Sequence, residues 1–404
     1  MAGPLDGIRV LEWAVWVVGP SCCAMLGDLG AEIIKIEQPV LGDPGRGLQA
    51  IWGLRTPLPG GGNVLFEGAN RNARSITIDL AKEQGRDLAY KLVEKCDVFV
   101  HNYRRQVADA LGMGYDALSR HNPKLVYAWA SGFGSKGPDS DLPALDTIAL
   151  ARSGMMMAMG EPDTPPQSAV GAIADQTTAN MLSYGVLAGL LARERLGVGQ
   201  EIDVSMLGSM VFLQSLNVNL TSIRGREFTR RSRSQAGNPL QNYYRCRDDK
   251  WVLLAHTQAD RYWHDFCEVL GLQELEPDPR FVDMETRAKN CEELIRILDG
   301  VFATRSQEEW LRLLRQKYLF FSPVNSMADV IKDPQVIENE YLQDIDHPAL
   351  GAVKMTRLPI NFSKTPVQLR STAPEFGQHT EEVLMELAGL SWEDIEKLKE
   401  QEVI

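Results

Sequence analysis

The feature that most constrains this chain is a short alternation near its start. Ile8-Arg9-Val10-Leu11-Glu12-Trp13 is rich in β-formers, Gly19-Pro20 breaks the pattern, and Cys22 to Leu29 reads as a helix ending near Gly30. Glu32 to Glu37 then alternates like a strand and stops before Pro39. Strand, helix and strand over such a span make a βαβ unit, from which a parallel strand pair and a right-handed crossover follow. The pattern continues with strand-like segments at Ser75–Asp79, Asp97–Val100 and Leu125–Trp129 and a helical period over Lys82–Cys96. A long helix follows from about Asp175 to Leu196, and then a strand, Gly199–Val204, leading into a second long helix. The predicted fold class is α/β: an open, parallel, Rossmann-like sheet with helices on both faces.

A length of 404 residues predicts two or more structural units, or one large α/β domain with a smaller insertion. The character changes near Arg224, where Arg224, Arg226, Arg230, Arg231 and Arg233 crowd together before the turn-rich Gln235-Ala236-Gly237-Asn238-Pro239. The expected division is a large domain over 1–222 and a small α/β domain over 223–322. The chain then returns over 323–404, starting at Pro323-Val324 and ending in a helical pair, Thr380 to Glu402, interrupted at Gly389.

The net charge of −12 argues against a general polyanion binder, so any nucleotide-like ligand has to be held by a few local basic groups. The N-terminus carries no basic segment followed by an apolar run, and Met181 to Ala192 is too short to span a bilayer. Six scattered cysteines form neither a CxxC pair nor a disulfide framework, which suits a cytoplasmic protein. His101, His121, His256, His264, His347 and His379 show no metal-ligand spacing, so no metal site is expected. There is no GxSxG elbow, no P-loop and no GxGxxG after the first strand. Gly60-Gly61-Gly62 looks phosphate-like but reads better as a loop. Asp175, in Gly171-Ala172-Ile173-Ala174-Asp175, reads in two ways. It could cap the long helix, or it could attack a thioester carbonyl, with the free helix N–H groups stabilising the developing oxyanion.

The ordered blocks along the chain resemble the class III CoA-transferases, the CaiB/BaiF family. These blocks are Leu5-Asp6-Gly7-Ile8-Arg9-Val10-Leu11-Glu12, Leu29-Gly30-Ala31-Glu32 with Ile34-Lys35-Ile36-Glu37, Gly42-Asp43-Pro44, and Asn70-Arg71-Asn72 with Asp79-Leu80. Asn102-Tyr103-Arg104, Ser131-Gly132-Phe133-Gly134 with Leu142-Pro143 and Asp146, and Gly197-Val198-Gly199-Gln200 with Ile202-Asp203-Val204 complete the set. The resemblance implies an interlocked dimer of two-domain chains and makes Asp175, in register after Asp146, the nucleophile. It implies an aspartyl–acyl anhydride followed by an aspartyl-CoA thioester, with acyl-CoA and carboxylic acid as substrates and no permanently bound cofactor.

Coenzyme A contacts carry over to Trp16, Val17 and Val18 on the loop facing the thioester, and to Asn102, Tyr103 and Arg104. Gln38 stands where an adenine-stacking Arg is frequent. Ile78 and Ala81 fall on the adenine and phosphate strip, where Lys82 could replace the usual Lys at 81. Ala110 stands where Arg is frequent. Arg46, Arg104, Arg105 or the arginine run would then supply the missing charge. The loop around Ala236-Gly237-Asn238 matches a glycine-rich flap. Trp16, Val17, Val18 and Met155-Met156-Met157 would form an apolar pocket suited to an aryl or branched acid such as benzylsuccinate, with succinyl-CoA as donor. Two alternatives stand beside this. One is an α-methylacyl-CoA racemase, which needs a His where Leu145 stands. The other is a non-catalytic subunit of a hetero-oligomeric transferase.

Overall fold

A computed structural model describes residues 2–59 and 62–404, so Gly60 and Gly61 of the triple-glycine loop lie outside the described residues. The chain forms two compact units. The first comprises residues 1–157, 168–226 and 339–404. Its frame is a six-stranded, all-parallel sheet of β1 (Arg9–Trp13), β2 (Glu32–Glu37), β3 (Ala73–Thr77), β4 (Val98–His101), β5 (Val126–Ser131) and β6 (Gln200–Ser205). The spatial order is β3-β2-β1-β4-β5-β6, the doubly wound Rossmann order. β1 pairs with β2 from Arg9↔Glu32 and with β4 from Val10↔Val98.

Val10, Ile33, Ala73, Val98 and Val126 lie on one face of the sheet, packed with residues of α1 (Val18–Asp28) and α5 (Ile173–Leu196). Leu11, Ile34, Ile76, Phe99 and Tyr127 lie on the other, packed with residues of α2 (Glu83–Val93) and the C-terminal helices Thr380–Ala388 and Trp392–Glu400. Burial on both faces suits the largely apolar central strands Val98–His101 and Val126–Ser131, whereas the outer strand Gln200–Ser205 is polar and only partly buried. Gly389 ends the first C-terminal helix in a left-handed conformation, φ 67°, the geometry glycine adopts without a Cβ penalty.

Two boundaries differ from the sequence expectation. Gly19-Pro20 does not break the chain before α1 but occupies the helix's first turn. Proline is tolerated there because the N–H it lacks has no intrahelical acceptor anyway. The second long helix is two helices, α6 (Met206–Leu213) and α7 (Ser215–Arg224), with Gln214 between them. Ser205 Oγ caps α6 by accepting from the Gly208 N–H.

The second unit comprises 158–167 and 227–338, extending past the expected end at 322 and taking in a segment expected in the large domain. Pro323-Val324 is not a return path. Phe321–Val324 is an edge strand of a three-stranded antiparallel sheet, with Pro323 opposite Val252. Proline suits an edge because it has no N–H for a further strand. Helices Ala259–Leu270, Cys291–Phe302 and Gln307–Gln316 supply most of this unit's apolar core, which includes Phe266, Phe302 and Trp310.

Candidate active site

A cavity of about 610 Å3 lies in the first unit where strand order reverses, between the loops that follow β1 and β4. Open α/β sheets bind ligands at this switch point. Val15–Val18 line the cavity from the β1 loop, and Asn102, Tyr103 and Arg104 from the β4 loop. Ala130, Ser131 and Gly132 line it from the end of β5. The β1 loop is held by side chains. Asn102 Oδ1 accepts from the Val15 N–H at 3.0 Å, and its Nδ2 donates to the Val15 carbonyl at 2.7 Å. Tyr103 stacks on Trp13 at 4.2 Å between ring centroids. Trp129 Nε1 donates to the Tyr103 carbonyl at 2.8 Å.

Asp175 lines the cavity from the first turn of α5, together with Asp146 at the start of α4 (Asp146–Arg152). The structure decides between the two readings of Asp175 as far as capping goes. The N-cap residue is Ala172, in the left-handed region at φ 54°, and it has no capping side chain. Asp146 Oδ1 performs that task from outside the helix, accepting from Ala174 N–H at 2.7 Å and Asp175 N–H at 3.2 Å. The Asp175 carboxylate makes no hydrogen bond among the described residues. Burial, and then the nearby Asp146 carboxylate, push its pKa up to about 7. The expected use of these helix N–H groups as oxyanion donors is corrected for Ala174 and Asp175, since both already donate to Asp146. The other oxygen of Asp146, Oδ2, is buried without a hydrogen-bond partner.

Of the other expected contacts, Trp16, Val17, Val18, Asn102, Tyr103 and Arg104 come together around this cavity. Arg104 is exposed, and its guanidinium has no partner among the described residues. Gln38, Ile78, Ala81, Lys82 and Ala110 do not line it. Gln38 Oε1 instead accepts from the N–H groups of Val40 and Leu41. Ile78 is 1% exposed within the core. Ala81 is exposed, with its N–H given to Asp79, and Ala110 is exposed at the end of α3 (Arg105–Ala110). Lys82 Nζ donates to the carbonyls of Gln401 and Glu402.

Arg46 grips Glu37 with two nitrogens, donates to the Pro374 carbonyl and stacks on Phe66 at 3.7 Å. Arg105 pairs with Glu201 and stacks on Trp129. In the second unit Arg233 is taken by Asp299, and Arg230 donates to the carbonyls of Met159 and Thr164.

Met155–Met157 are absent from the cavity wall. Met155 and Met156 pack against the core, and Met157 points to solvent. Their apolar place is filled by Leu48, Ile51, Trp52 and Leu65, which sequence reading missed. The available signal was Trp52-Gly53, an aromatic set in a tight turn. The Ala236-Gly237-Asn238 loop is fastened within its own unit, where Asn238 Nδ2 donates to the His256 carbonyl and the His256 N–H donates to that of Leu240. The one grouping of potential metal ligands among the described residues is His264, Asp265 and Glu268. It is already engaged by Glu276 and Lys317.

The model of CoA-transferase family III matches residues 5–380. The chain belongs to CoA-transferase family III. Among family relatives, an acyl-CoA transferase of Fusarium pseudograminearum is 33% identical over 410 aligned residues, covering 100% of this chain and 88% of the relative. An (R)-2-hydroxy-4-methylpentanoate CoA-transferase of Clostridioides difficile is 30% identical, covering 99% of both chains. The crystal structure of a CAIB/BAIF family protein from Brucella suis superposes with a TM-score of 0.84 at 29% identity, covering 96% of this chain and 100% of that one. As a family III enzyme, the protein is a CoA-transferase acting on CoA thioesters and carboxylic acids. No helix among its described residues is long and apolar enough to cross a membrane.

Proposed function

We propose that this enzyme moves coenzyme A from succinyl-CoA to an aryl or branched carboxylic acid such as benzylsuccinate, with Asp175 as covalent nucleophile. The observation that carries the reading is the free, partly buried carboxylate of Asp175 in the cavity, relieved of capping duty by Asp146. Asp175 attacks the donor thioester carbonyl, and the C–S bond breaks to give an aspartyl–acyl anhydride and CoA thiolate. The thiolate attacks the aspartyl carbonyl and expels the donor acid, leaving an aspartyl-CoA thioester. The acceptor carboxylate then reverses these steps. Trp16, Val17, Val18, Ile51 and Trp52 make the wall apolar, which supports an aryl or branched acyl group over a small polar one. Arg104 supplies a cation for the coenzyme's phosphates.

Leu145 lines the cavity beside Asp146, and no histidine does among the described residues, so the two-base arrangement of a racemase finds no support. Phe212, Leu216 and Ile223 on α6 and α7 are 67%, 80% and 81% exposed in the single chain, which supports an apolar interface with a second copy. Six unpaired cysteines suit the cytoplasm. Hydroxylamine added during turnover should leave a hydroxamate on Asp175, detected by mass spectrometry. Asp175→Asn with undiminished transferase activity would sink the mechanism. Native mass measurement separates a homodimer from a hetero-oligomer.

A further inference from the structure

Beneath the β1 loop lies an ionic cluster that the proposed chemistry does not use. Lys35 on β2 is 0% exposed, and its Nζ sits 2.6 Å from Glu12 Oε1, its registered neighbour on β1. The same Nζ donates to the Ala14 carbonyl at 2.9 Å and faces Asp43 Oδ2 at 3.0 Å. Asp43 is also buried, and its Oδ1 accepts from the Trp16 N–H at 3.1 Å and the Gly45 N–H at 2.8 Å. Its own N–H donates to Glu37 Oε2 at 3.0 Å, which ties the cluster to the Glu37–Arg46 pair.

Trp16 stands in the left-handed region at φ 65°, where a residue with a Cβ persists only if its surroundings impose it. Ala14 to Val17 have no place in the sheet; Lys35 meets the Ala14 carbonyl, Asp43 the Trp16 N–H, and Asn102 both polar backbone groups of Val15. A buried ion pair is a poor stabiliser, because desolvation cancels most of its attraction. What it supplies here is direction, with one cation meeting the Glu12 carboxylate on β1, the Ala14 carbonyl in the loop and the Asp43 carboxylate on the segment after β2.

We propose that Lys35 and Asp43 are positioning residues of the active site, holding Ala14–Val17 in the shape that presents Trp16 and Val17 to the cavity that Asp175 also lines. The proposal rests on the reading that acyl-CoA meets Asp175 in this cavity. Burial works against the Lys35 charge, but Glu12 and Asp43 outweigh it and raise the ammonium pKa above its ordinary value, so the cation is permanent.

The test compares Asp43→Asn and Lys35→Met with Arg74→Ala. Arg74 bridges Glu32, Glu382 and Glu386 at the sheet edge, away from the loop, and serves as a control for lost stability alone. Each variant is measured for its thermal midpoint, its calorimetric Kd for coenzyme A at a temperature where all are folded, and its hydroxamate yield at Asp175. Asp43→Asn should weaken coenzyme A binding on the order of tenfold or more, whereas Arg74→Ala loses stability and keeps the wild-type Kd. If Lys35→Met does not fold, Asp43→Asn carries the test alone. Wild-type Kd in folded Asp43→Asn overturns the proposal. Absence of hydroxamate from the wild type overturns the nucleophile instead and leaves the Kd comparison standing.

Discussion

Replacing Asp175 by asparagine should stabilise the folded chain above neutral pH while abolishing transfer. Burial and Asp146 hold the Asp175 carboxyl at about 7 instead of its ordinary 3.8. An acid whose folded pKa is raised favours folding least where it must ionise. Its penalty begins as pH rises through the unfolded value near 4, grows to about 7 and is constant above. At about 1.36 kcal/mol per tenfold change in proton affinity, the full penalty is about 4 kcal/mol. Solvent in the cavity screens part of this and leaves about 2–4 kcal/mol. Asparagine has the same shape and no charge to desolvate. Its advantage over aspartate should therefore widen by about 1–2.5 kcal/mol between pH 5 and pH 8, a relative rise in thermal midpoint of about 1–3 °C for a chain of this length. Differential scanning calorimetry of both proteins across that range measures it. A difference in midpoint that stays flat with pH, or narrows, refutes the claim that the carboxylate is charged and desolvated in the folded state.

Asp146→Asn keeps an oxygen for the Ala174 and Asp175 N–H groups but removes the neighbouring charge, so the rising limb of the pH–rate profile should move from near 7 to lower pH. Stopped assays from pH 5 to 9 would show it. Gly19→Ala would set its Cβ 2.4 Å from that of Ala14, so the β1 loop must shift. A stability loss of about 1–3 kcal/mol in urea titration is expected, together with a raised KM for acyl-CoA. Arg104→Ala removes a cation with no partner among the described residues. It should raise that KM about tenfold, equivalent to about 1.4 kcal/mol, and flatten its salt dependence, with the thermal midpoint unchanged.

The parallel frame was legible in sequence because strand-like and helical segments alternate along the first two hundred residues, and a strand–helix–strand connection makes neighbouring strands parallel. Gly19-Pro20 was misread because a breaker in mid-chain is harmless in the first turn of a helix. Capping of α5 was not legible from local sequence. The rule looks within one turn of the helix start, and the carboxylate that caps it belongs to Asp146, across the tertiary fold. The same distance hides the fate of several cations. Lys82 meets the carbonyls of Gln401 and Glu402, and Arg46 meets that of Pro374, contacts with no sequence period. The cavity's polar edge, Asn102-Tyr103-Arg104, was readable as a block. Much of its apolar wall was not, because Ile51 and Trp52 come from a short hairpin with little pattern of its own.

The division of labour between the two carboxylates also bears on the direction of the proposed cycle. In an aspartyl–acyl anhydride, thiolate can attack either carbonyl, and the outcome turns on which carboxylate departs more readily. Attack on the acyl carbon expels Asp175 and merely regenerates the starting thioester. Attack on the aspartyl carbon expels the donor acid and moves the cycle forward. The weaker base is the better leaving group. Burial and the Asp146 charge hold the Asp175 carboxyl above the ordinary carboxylate range, so against a donor acid of ordinary acidity Asp175 would be the poorer leaving group and the proposed anhydride would collapse toward the enzyme-bound thioester.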